Sequence, residues 1–139
     1  MKIKPVVMDE LKTSHTGFRV ELHLRYNVTF VVGDSGTGKS AVYSFIQELA
    51  TEDKRIRCFN YLDIKKAYKS AIKQSKGKLF VIDNADILLD DSMREYIARD
   101  SNNQYLIIGR NPTGLMLTKD NIFEMVNEKV GEKVVFQLR

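Results

Sequence analysis

The sequence is poor in the residues that build covalent or metal cross-links. Its 139 residues include one cysteine, Cys58, and two widely separated histidines, and they contain no tryptophan. A single cysteine excludes an intramolecular disulfide and a multi-cysteine zinc site. No apolar run approaches the ~18 residues of a membrane-spanning helix, and the N-terminus has no signal-peptide core. We therefore expect one cytoplasmic domain, residues 1–139, that does not enter a membrane.

Charge is spread unevenly along the chain. Residues 1–53 and 79–139 have net charges of −1 and −3, whereas residues 54–78 contain nine Lys or Arg and one Asp, a net charge of +8. Four lysines in this basic segment recur on one face of a predicted helix over residues 64–75. They are Lys65, Lys69, Lys73 and Lys76. The pattern has two interpretations: contact with a nucleic-acid phosphate backbone, or a solvated helix face that keeps the protein soluble.

The hydrophobic pattern predicts alternating strands and helices. Buried strands are predicted at 27–32, 78–82 and 105–108, a short strand at 55–61 and a last strand at 134–138. A half-exposed strand at 18–24 precedes them, with residues 2–8 as its candidate partner. Helices are predicted at 41–50, 64–75, 92–100 and 120–127. Alternation of this kind favours a parallel sheet with helices on both faces.

A glycine-rich segment follows the strand at 27–32. Residues 33–40 read Gly-Asp-Ser-Gly-Thr-Gly-Lys-Ser and match G-x-x-x-x-G-K-[ST] at every fixed position, between a strand and a helix. Backbone N–H groups of such a loop and the positive helix end form an anion site, where Lys39 can reach phosphates and Ser40 can ligate Mg²⁺. The alternative is a glycine turn that only joins strand to helix. The predicted nucleotide-binding set is Gly33, Asp34, Ser35, Gly36, Thr37, Gly38, Lys39, Ser40 and Ala41.

A second strand ends in a carboxylate. Residues 79–82 are apolar and Asp83 follows them. The carboxyl end of a parallel strand lies at the crevice where ligands bind. We therefore expect Asp83 and Ser40 to serve a Mg²⁺ ion, with Asp83 acting through water. The alternative is a solvated turn residue at the end of a strand.

Residues 33–40 and 79–83 resemble the motifs of the P-loop NTPase superfamily, and the order of predicted elements is similar over nearly the whole chain. The resemblance is to the AAA+ and recombinase-like branch, without the helical lid that follows in AAA+ proteins. Residues 115–139 have a weak similarity to small ATP-binding proteins of bacterial mobile elements. The resemblance implies a three-layer α/β fold with a mainly parallel five-stranded sheet, order 5-1-4-3-2, and an N-terminal antiparallel strand or hairpin. It also implies ATP and Mg²⁺ as cofactors.

The resemblance also assigns candidate catalytic roles. Many ATPases of this branch place a Glu directly after the aspartate, where it activates water, but this sequence has Asn84 there. Asn is not a base, and loss of a positioned base costs roughly 10²–10⁴-fold in rate. Asp86 is either a substitute base or a turn residue, and Arg110 or Asn111 is either a γ-phosphate sensor or part of a surface turn. The candidate catalytic set is Lys39, Asp83, Asp86 and Arg110.

Three functions remain open on the sequence. The first is a minimal ATPase with slow or partner-dependent hydrolysis that acts on nucleic acid or a protein assembly. The second is a nucleotide-binding module that hydrolyses poorly and signals its bound state to a protein partner or another copy. The third is a small-molecule kinase, which the lack of clustered arginines after Asp83 disfavours. No Asn-Lys-x-Asp motif specifies GTP, so ATP is the favoured purine nucleotide.

Overall fold

The computed structural model describes residues 3–32, 38–65 and 67–139. Within these residues the chain forms eight strands: β1 (Glu10–Ser14), β2 (Phe18–His23), β3 (Val28–Val32), β4 (Ile56–Phe59), β5 (Leu79–Ile82), β6 (Gln104–Ile108), β7 (Ile122–Val130) and β8 (Lys133–Leu138). The same residues form the helices α1 (Lys39–Ala50), α2 (Tyr68–Lys73), α3 (Ala85–Leu88) and α4 (Asp91–Arg99), with 3₁₀ turns at Tyr61–Asp63 and Lys119–Asn121. None of these helices has the length and apolar character needed to cross a membrane.

The strands form one mixed sheet in the order β1-β2-β8-β7-β3-β6-β5-β4. The five strands from β7 to β4 are mutually parallel. β8 runs antiparallel to β7 and parallel to β2, and β1 is antiparallel to β2. The carboxyl ends of β3, β6, β5 and β4 therefore meet at one edge, called the carboxyl edge here, where an α/β sheet places its ligand.

Helices cover both faces of the parallel strands. On one face, Val42 and Ile46 of α1 pack in a core with Val31 of β3. On the other face, Met93 of α4 packs in a second core with Phe30, the residue before Val31. Successive strand residues point to opposite faces, so β3 is buried on both and is apolar at every position except Thr29. The predicted α/β class is confirmed.

The strand count and order differ from the predicted five strands in the order 5-1-4-3-2. The four strands β3, β6, β5 and β4 do lie side by side, but the other neighbour of β3 is β7, not the last strand. The predicted helix at 120–127 is wrong, because residues 122–127 are the first part of β7 and residues 120–121 belong to the 3₁₀ turn before it. It pairs with β3 on one side and β8 on the other, and this pairing overrides a short helical pattern.

The N-terminal segment is held by side chains. Residues 3–8 form no strand, so the predicted pairing of residues 2–8 with the strand at 18–24 is not found among the residues described; β1 pairs with β2 instead. The Val7 and Met8 amides donate to Gln104 Oε1 at 3.1 and 2.9 Å, and Gln104 Nε2 donates to the Met8 carbonyl at 2.8 Å. Gln104 begins β6, so these bonds lie at the amino edge of the sheet, opposite the carboxyl edge.

The strands β1, β2 and β8 curl around α1. Val20 and Leu22 of β2 share the core of α1. The rings of Phe18 and Phe136 lie 5.3 and 6.4 Å from that of Phe45, which is on α1. α1 is thus enclosed between the parallel strands and the curled end of the sheet, which fixes the position of its N-terminus.

Candidate functional site

A cleft of about 680 Å³ lies at the carboxyl edge. Its walls come from four places: the start of α1 and the segments that follow β4, β5 and β6. The lining residues are Gly38, Lys39, Ser40, Ala41, Asn60, Tyr61, Asp83, Asn84, Asp86, Ile108, Gly109 and Arg110. The cleft therefore brings together every predicted catalytic residue and the predicted nucleotide-binding residues 38–41. The predicted binding residues Gly33, Asp34, Ser35, Gly36 and Thr37 lie outside the residues that the structure describes.

Gly38 occupies a position that only glycine can fill. Its φ of 99° is left-handed, and it directly precedes α1. A Cβ atom at Gly38 would lie 2.4 Å from Phe136 of β8. Both the backbone conformation and the close approach of a strand exclude a side chain there. The start of α1 is therefore pressed against the curled part of the sheet.

Lys39 and Ser40 form the first turn of α1. Lys39 is half-buried and Ser40 is exposed. Desolvation of the Asp83 carboxylate raises its pKa overall, while the hydrogen bond from the Asn84 amide and the positive charge of Lys39 lower it by less. An ammonium group, a hydroxyl and a carboxylate therefore face one space beside a helix N-terminus. This group of side chains is suited to phosphate and a hard cation.

Asp83 is held by the backbone on both sides. Its amide donates to the carbonyl of Phe59, the last residue of β4, at 2.9 Å. Its carboxylate accepts the Asn84 amide at 2.9 Å. Within the described residues, no three His, Cys, Asp or Glu side chains cluster as a metal site. The predicted Mg²⁺ ligands Ser40 and Asp83 both line the cleft, and Mg²⁺ usually keeps several waters and phosphate oxygens as further ligands.

Asn84 has a left-handed backbone, with φ 53°. It precedes α3, and its side chain makes no capping hydrogen bond to that helix. Asn tolerates this conformation better than most residues, whereas Glu does not. The absence of a carboxylate directly after Asp83 therefore accords with the backbone geometry at this position.

Asp86 makes two backbone hydrogen bonds. Its oxygens accept the amides of Arg110 at 2.8 Å and Asn111 at 2.9 Å, just beyond the end of β6. Arg94 of α4 also approaches it, with Nη2 3.7 Å from Oδ1. Of the two interpretations of Asp86, this geometry favours a structural turn residue over a free base.

Arg110 and Asn111 take different positions. Arg110 is exposed and lines the cleft. Asn111 does not line it, and its Oδ1 accepts the amide and hydroxyl of Thr113 at 3.0 and 2.5 Å. Arg110 is therefore the better placed of the two candidate phosphate sensors.

The sequence reasoning missed Asn60 and Tyr61, which line the cleft beyond the end of β4. Asn60 Oδ1 accepts the Leu62 amide at 2.9 Å and so caps the turn that carries Tyr61. The rule that ligand-contacting residues follow parallel strands, applied above to Asp83, also selects Asn60. The predicted strand at 55–61 contains both residues, whereas β4 ends at Phe59.

The four lysines of the basic segment do not form one helical stripe. α2 covers only Tyr68–Lys73 of the predicted helix at 64–75, so Lys65 precedes it and Lys76 follows it. Lys69 forms an ion pair with Asp90, and Lys73 Nζ lies 5.5 Å from the ring centroid of Tyr96. Two of the four lysines therefore interact with α4 and its N-cap.

No protein-family model matches the chain. No curated protein matches it by sequence. Among solved structures, it is similar to the RuvB Holliday junction branch migration motor of Thermotoga maritima, with 18% sequence identity and a TM-score of 0.43 over 76% of this chain. The match spans 39% of that protein's chain. Similarity at this level says nothing about activity.

Proposed function

We propose that this protein binds a purine nucleoside triphosphate, ATP in the first place, together with Mg²⁺. The observation that carries the proposal is the convergence of Lys39, Ser40, Asp83 and Arg110 on one cleft at the carboxyl edge. These residues come from three separate segments of the sequence, the start of α1 and the ends of β5 and β6, and each has a side chain that suits a phosphate or its metal. The resemblance of residues 33–40 to phosphate-binding loops supports the same ligand.

Each residue has a distinct role in this proposal. Lys39 and the N–H groups at the start of α1 bind phosphate oxygens. Ser40 and Asp83 hold the Mg²⁺ ion, directly or through its waters. Arg110 reaches the γ-phosphate, because its guanidinium can donate two parallel hydrogen bonds. Mg²⁺, when bound, neutralises charge on the phosphate oxygens.

Hydrolysis is slow or depends on a partner in this proposal. The position after Asp83 holds Asn84, which cannot accept a proton from water. Asp86 is engaged by the amides of Arg110 and Asn111. The same observation supports the second candidate function, a regulatory module that binds nucleotide without hydrolysis and presents its state to a protein partner or another copy. A small-molecule kinase is the least supported function.

The test is calorimetry of the full chain with a non-hydrolysable ATP analogue, with and without Mg²⁺, in the wild type and in Lys39→Ala. A charge-assisted contact is worth roughly 1.5–3 kcal/mol, so we expect Lys39→Ala to weaken binding by at least about tenfold. Lys12→Ala is the matched control, since Lys12 is exposed and lies in β1 rather than in the cleft. The affinities for GTP and ADP, measured in the same way, show whether the site prefers adenine over guanine and three phosphates over two.

Equal affinity of the wild type and Lys39→Ala for the analogue would contradict the proposal that Lys39 binds phosphate. Absence of binding in the wild type at millimolar nucleotide would remove the proposed function. A circular dichroism melt of each variant shows whether a loss of binding reflects a loss of fold. We expect Lys39→Ala to remain folded, since Lys39 lies in the first turn of α1 and Ala favours the helix.

A further inference from the structure

We propose that Asp86 and Arg94 together position Arg110 in the cleft, and that this pair sets the preference of the site for a triphosphate over a diphosphate. We call the two residues the Asp86–Arg94 clamp. The inference rests on the proposed nucleotide function, because it concerns how Arg110 is presented to a γ-phosphate. Both residues are positioning residues, since they act through the backbone that carries Arg110.

Asp86 fixes the backbone on both sides of the Arg110 α-carbon. One carboxylate oxygen accepts the amide of Arg110 and the other accepts the amide of Asn111. Two successive N–H groups held by one planar carboxylate restrict the rotation of the peptide between them. The direction in which the Arg110 side chain leaves the backbone is therefore set by Asp86.

Arg94 holds the same turn through its carbonyl groups. Its side chain is 7% exposed. Its Nη1 donates to the carbonyls of Asn111 at 2.6 Å and Thr113 at 2.8 Å, while its Nε donates to the Leu89 carbonyl at 3.4 Å. Its Nη2 lies 3.7 Å from Asp86 Oδ1. One guanidinium thus joins the link between α3 and α4 to the turn after β6.

Packing leaves the turn little room to adjust. A Cβ atom at Gly109 would lie 3.2 Å from Phe30 and 3.3 Å from both Ala85 and Asp86 Oδ1. A Cβ atom at Gly114 would lie 3.4 Å from the Cβ of Arg94. The turn from 109 to 114 is therefore enclosed by the clamp at both ends. The backbone on both sides of Arg110 is thus already held before a ligand binds, which reduces the entropy cost of the contact.

A buried arginine needs a reason to be retained, because an apolar side chain of similar size is often as stable at such a site. Arg94 donates hydrogen bonds to two carbonyls of the turn that carries Arg110. These hydrogen bonds hold the backbone of the turn in one conformation, whereas an apolar side chain would leave the two carbonyls without a partner. We infer that this shape is what the arginine provides.

The experiment measures the affinity of the full chain for the Mg²⁺ complexes of a non-hydrolysable ATP analogue and of ADP. The variants are Asp86→Asn, Arg94→Lys, Arg94→Met and Arg110→Ala. Asp86→Asn replaces one acceptor oxygen with an NH₂ group that faces a backbone N–H. Arg94→Met keeps the apolar stem without donors, and Arg94→Lys keeps a charge and one donating group. Arg99→Met, an exposed arginine on the same helix, is the matched control.

We expect Asp86→Asn and Arg94→Met to lower ATP affinity by about tenfold and ADP affinity by less than about twofold, since Arg110 contacts only the γ-phosphate. Arg94→Lys restores part of the preference, and Arg99→Met changes neither affinity. Arg110→Ala removes the preference. Adding Asp86→Asn to Arg110→Ala causes no further loss of preference, because the clamp acts through Arg110.

Equal weakening of ATP and ADP in Asp86→Asn, or an additive effect in the double variant, overturns the proposal. A second measurement does not depend on nucleotide: hydrogen exchange at the amides of Arg110 and Asn111 in the free protein. These two amides exchange faster in Asp86→Asn while those of β5 and β6 do not. Unchanged exchange there refutes the clamp itself, whereas absence of nucleotide binding in the wild type refutes the proposed function instead. If Arg94→Met does not fold, Arg94→Lys and Asp86→Asn decide the question.

Discussion

The two edges of the parallel sheet use polar side chains in opposite ways. At the amino edge, Asn27, Asn103 and Gln104 are at most 2% exposed. Their amide groups donate to and accept from the backbone, as when Asn27 Nδ2 donates to the Asn103 carbonyl at 2.7 Å. At the carboxyl edge, Lys39 and Asp83 are half-buried and face a cleft.

The difference shows how polar residues near strand ends divide between structure and function. Buried amides have no charge to desolvate, and each hydrogen bond fixes a neighbouring segment. The groups at the carboxyl edge include charges that remain near solvent, where a ligand can reach them. Changes at the amino edge should therefore alter stability without altering binding, and changes at the carboxyl edge should alter binding or turnover with smaller effects on stability.

The largest effect on stability is expected for Gln104→Leu. It removes the partners of the Val7 and Met8 amides and the Met8 carbonyl, and we expect a loss of about 2–3 kcal/mol in the free energy of unfolding. Urea denaturation measures the loss, and Gln74→Leu, at an exposed position after α2, is the control. A change in ATP affinity in the folded Gln104→Leu protein would break the separation between the two edges.

Asp83→Asn tests the opposite edge. We expect the Mg²⁺-dependent part of ATP affinity to fall by about tenfold, since a charged ligand of the ion is lost. Burial raises the pKa of Asp83 above its usual 3.8, so the folded state disfavours the ionised form. The stability that this group contributes is present below pH 3.8 and is lost as the pH rises through its raised pKa.

The sign of the stability change follows from this pKa. Asp83→Asn should unfold at slightly higher urea than the wild type at pH 7, and the gain should disappear below about pH 3.8. Urea titrations at both pH values measure it. A variant that is less stable than the wild type at pH 7 would show that Asp83 stabilises the fold rather than serving a ligand.

Substitution of Asn84 is expected to have a smaller effect, with opposite signs on the stability of the fold and on the rate of ATP turnover. We expect wild-type turnover of ATP below the ~1–10³ s⁻¹ of typical enzymes. Asn84→Glu should cost roughly 1 kcal/mol because Glu disfavours the left-handed backbone, yet it should raise turnover by adding a base. Asn84→Gly should keep the stability and add no turnover. Ordinary turnover by the isolated wild type would place the base at another residue.

The smallest effect on nucleotide binding is expected for charge reversal of Lys65 and Lys76, which lie outside α2. ATP affinity should not change, because neither residue lines the cleft. If all four lysines contact a nucleic-acid backbone, log affinity should fall against log salt with a slope near −3, since each contact contributes roughly −0.7 to −0.9. Fluorescence anisotropy with single- and double-stranded oligonucleotides measures it.

The contacts of Lys69 and Lys73 with α4 and its N-cap predict a shallower slope. Two contacts, from Lys65 and Lys76, give roughly −1.5. Reversal of both should then abolish the salt dependence for every oligonucleotide sequence alike, because phosphate contacts carry no base preference. If the charge reversals do not change oligonucleotide affinity, the lysines form a solvated surface and do not contact nucleic acid.

The parts of the fold that the sequence predicted are those decided locally. The predicted strands at 27–32, 78–82 and 105–108 consist mainly of apolar residues and become central strands that are buried on both faces, as their composition favours. The segment at 122–130 has no such signature, since most of β7 is exposed or half-buried. Its strand state depends on β3 and β8, which no local pattern of this segment contains.

The site also contains residues that a local pattern predicts and residues that it does not. Lys39, Ser40 and Asp83 were identified because each follows a strand or begins a helix in a recognisable pattern. The roles of Asp86 and Arg94 depend on contacts across about 20 residues of sequence, from α3 and α4 to the turn after β6. Such contacts are set by how the helices pack on the sheet, and single-sequence reasoning cannot place them.

The parallel pairing of β2 with β8 has a consequence for synthesis of the chain. The ribosome releases β2 early, yet its partner residues Val134–Phe136 emerge only after every helix described here has been made. Until then one edge of β2 has no strand beside it, and an unpaired edge invites association with other chains. α1 also lacks part of its cover during that time. The native state is therefore completed only after β8 has been made. Until then, the unpaired edge of β2 has to be kept from associating with other chains.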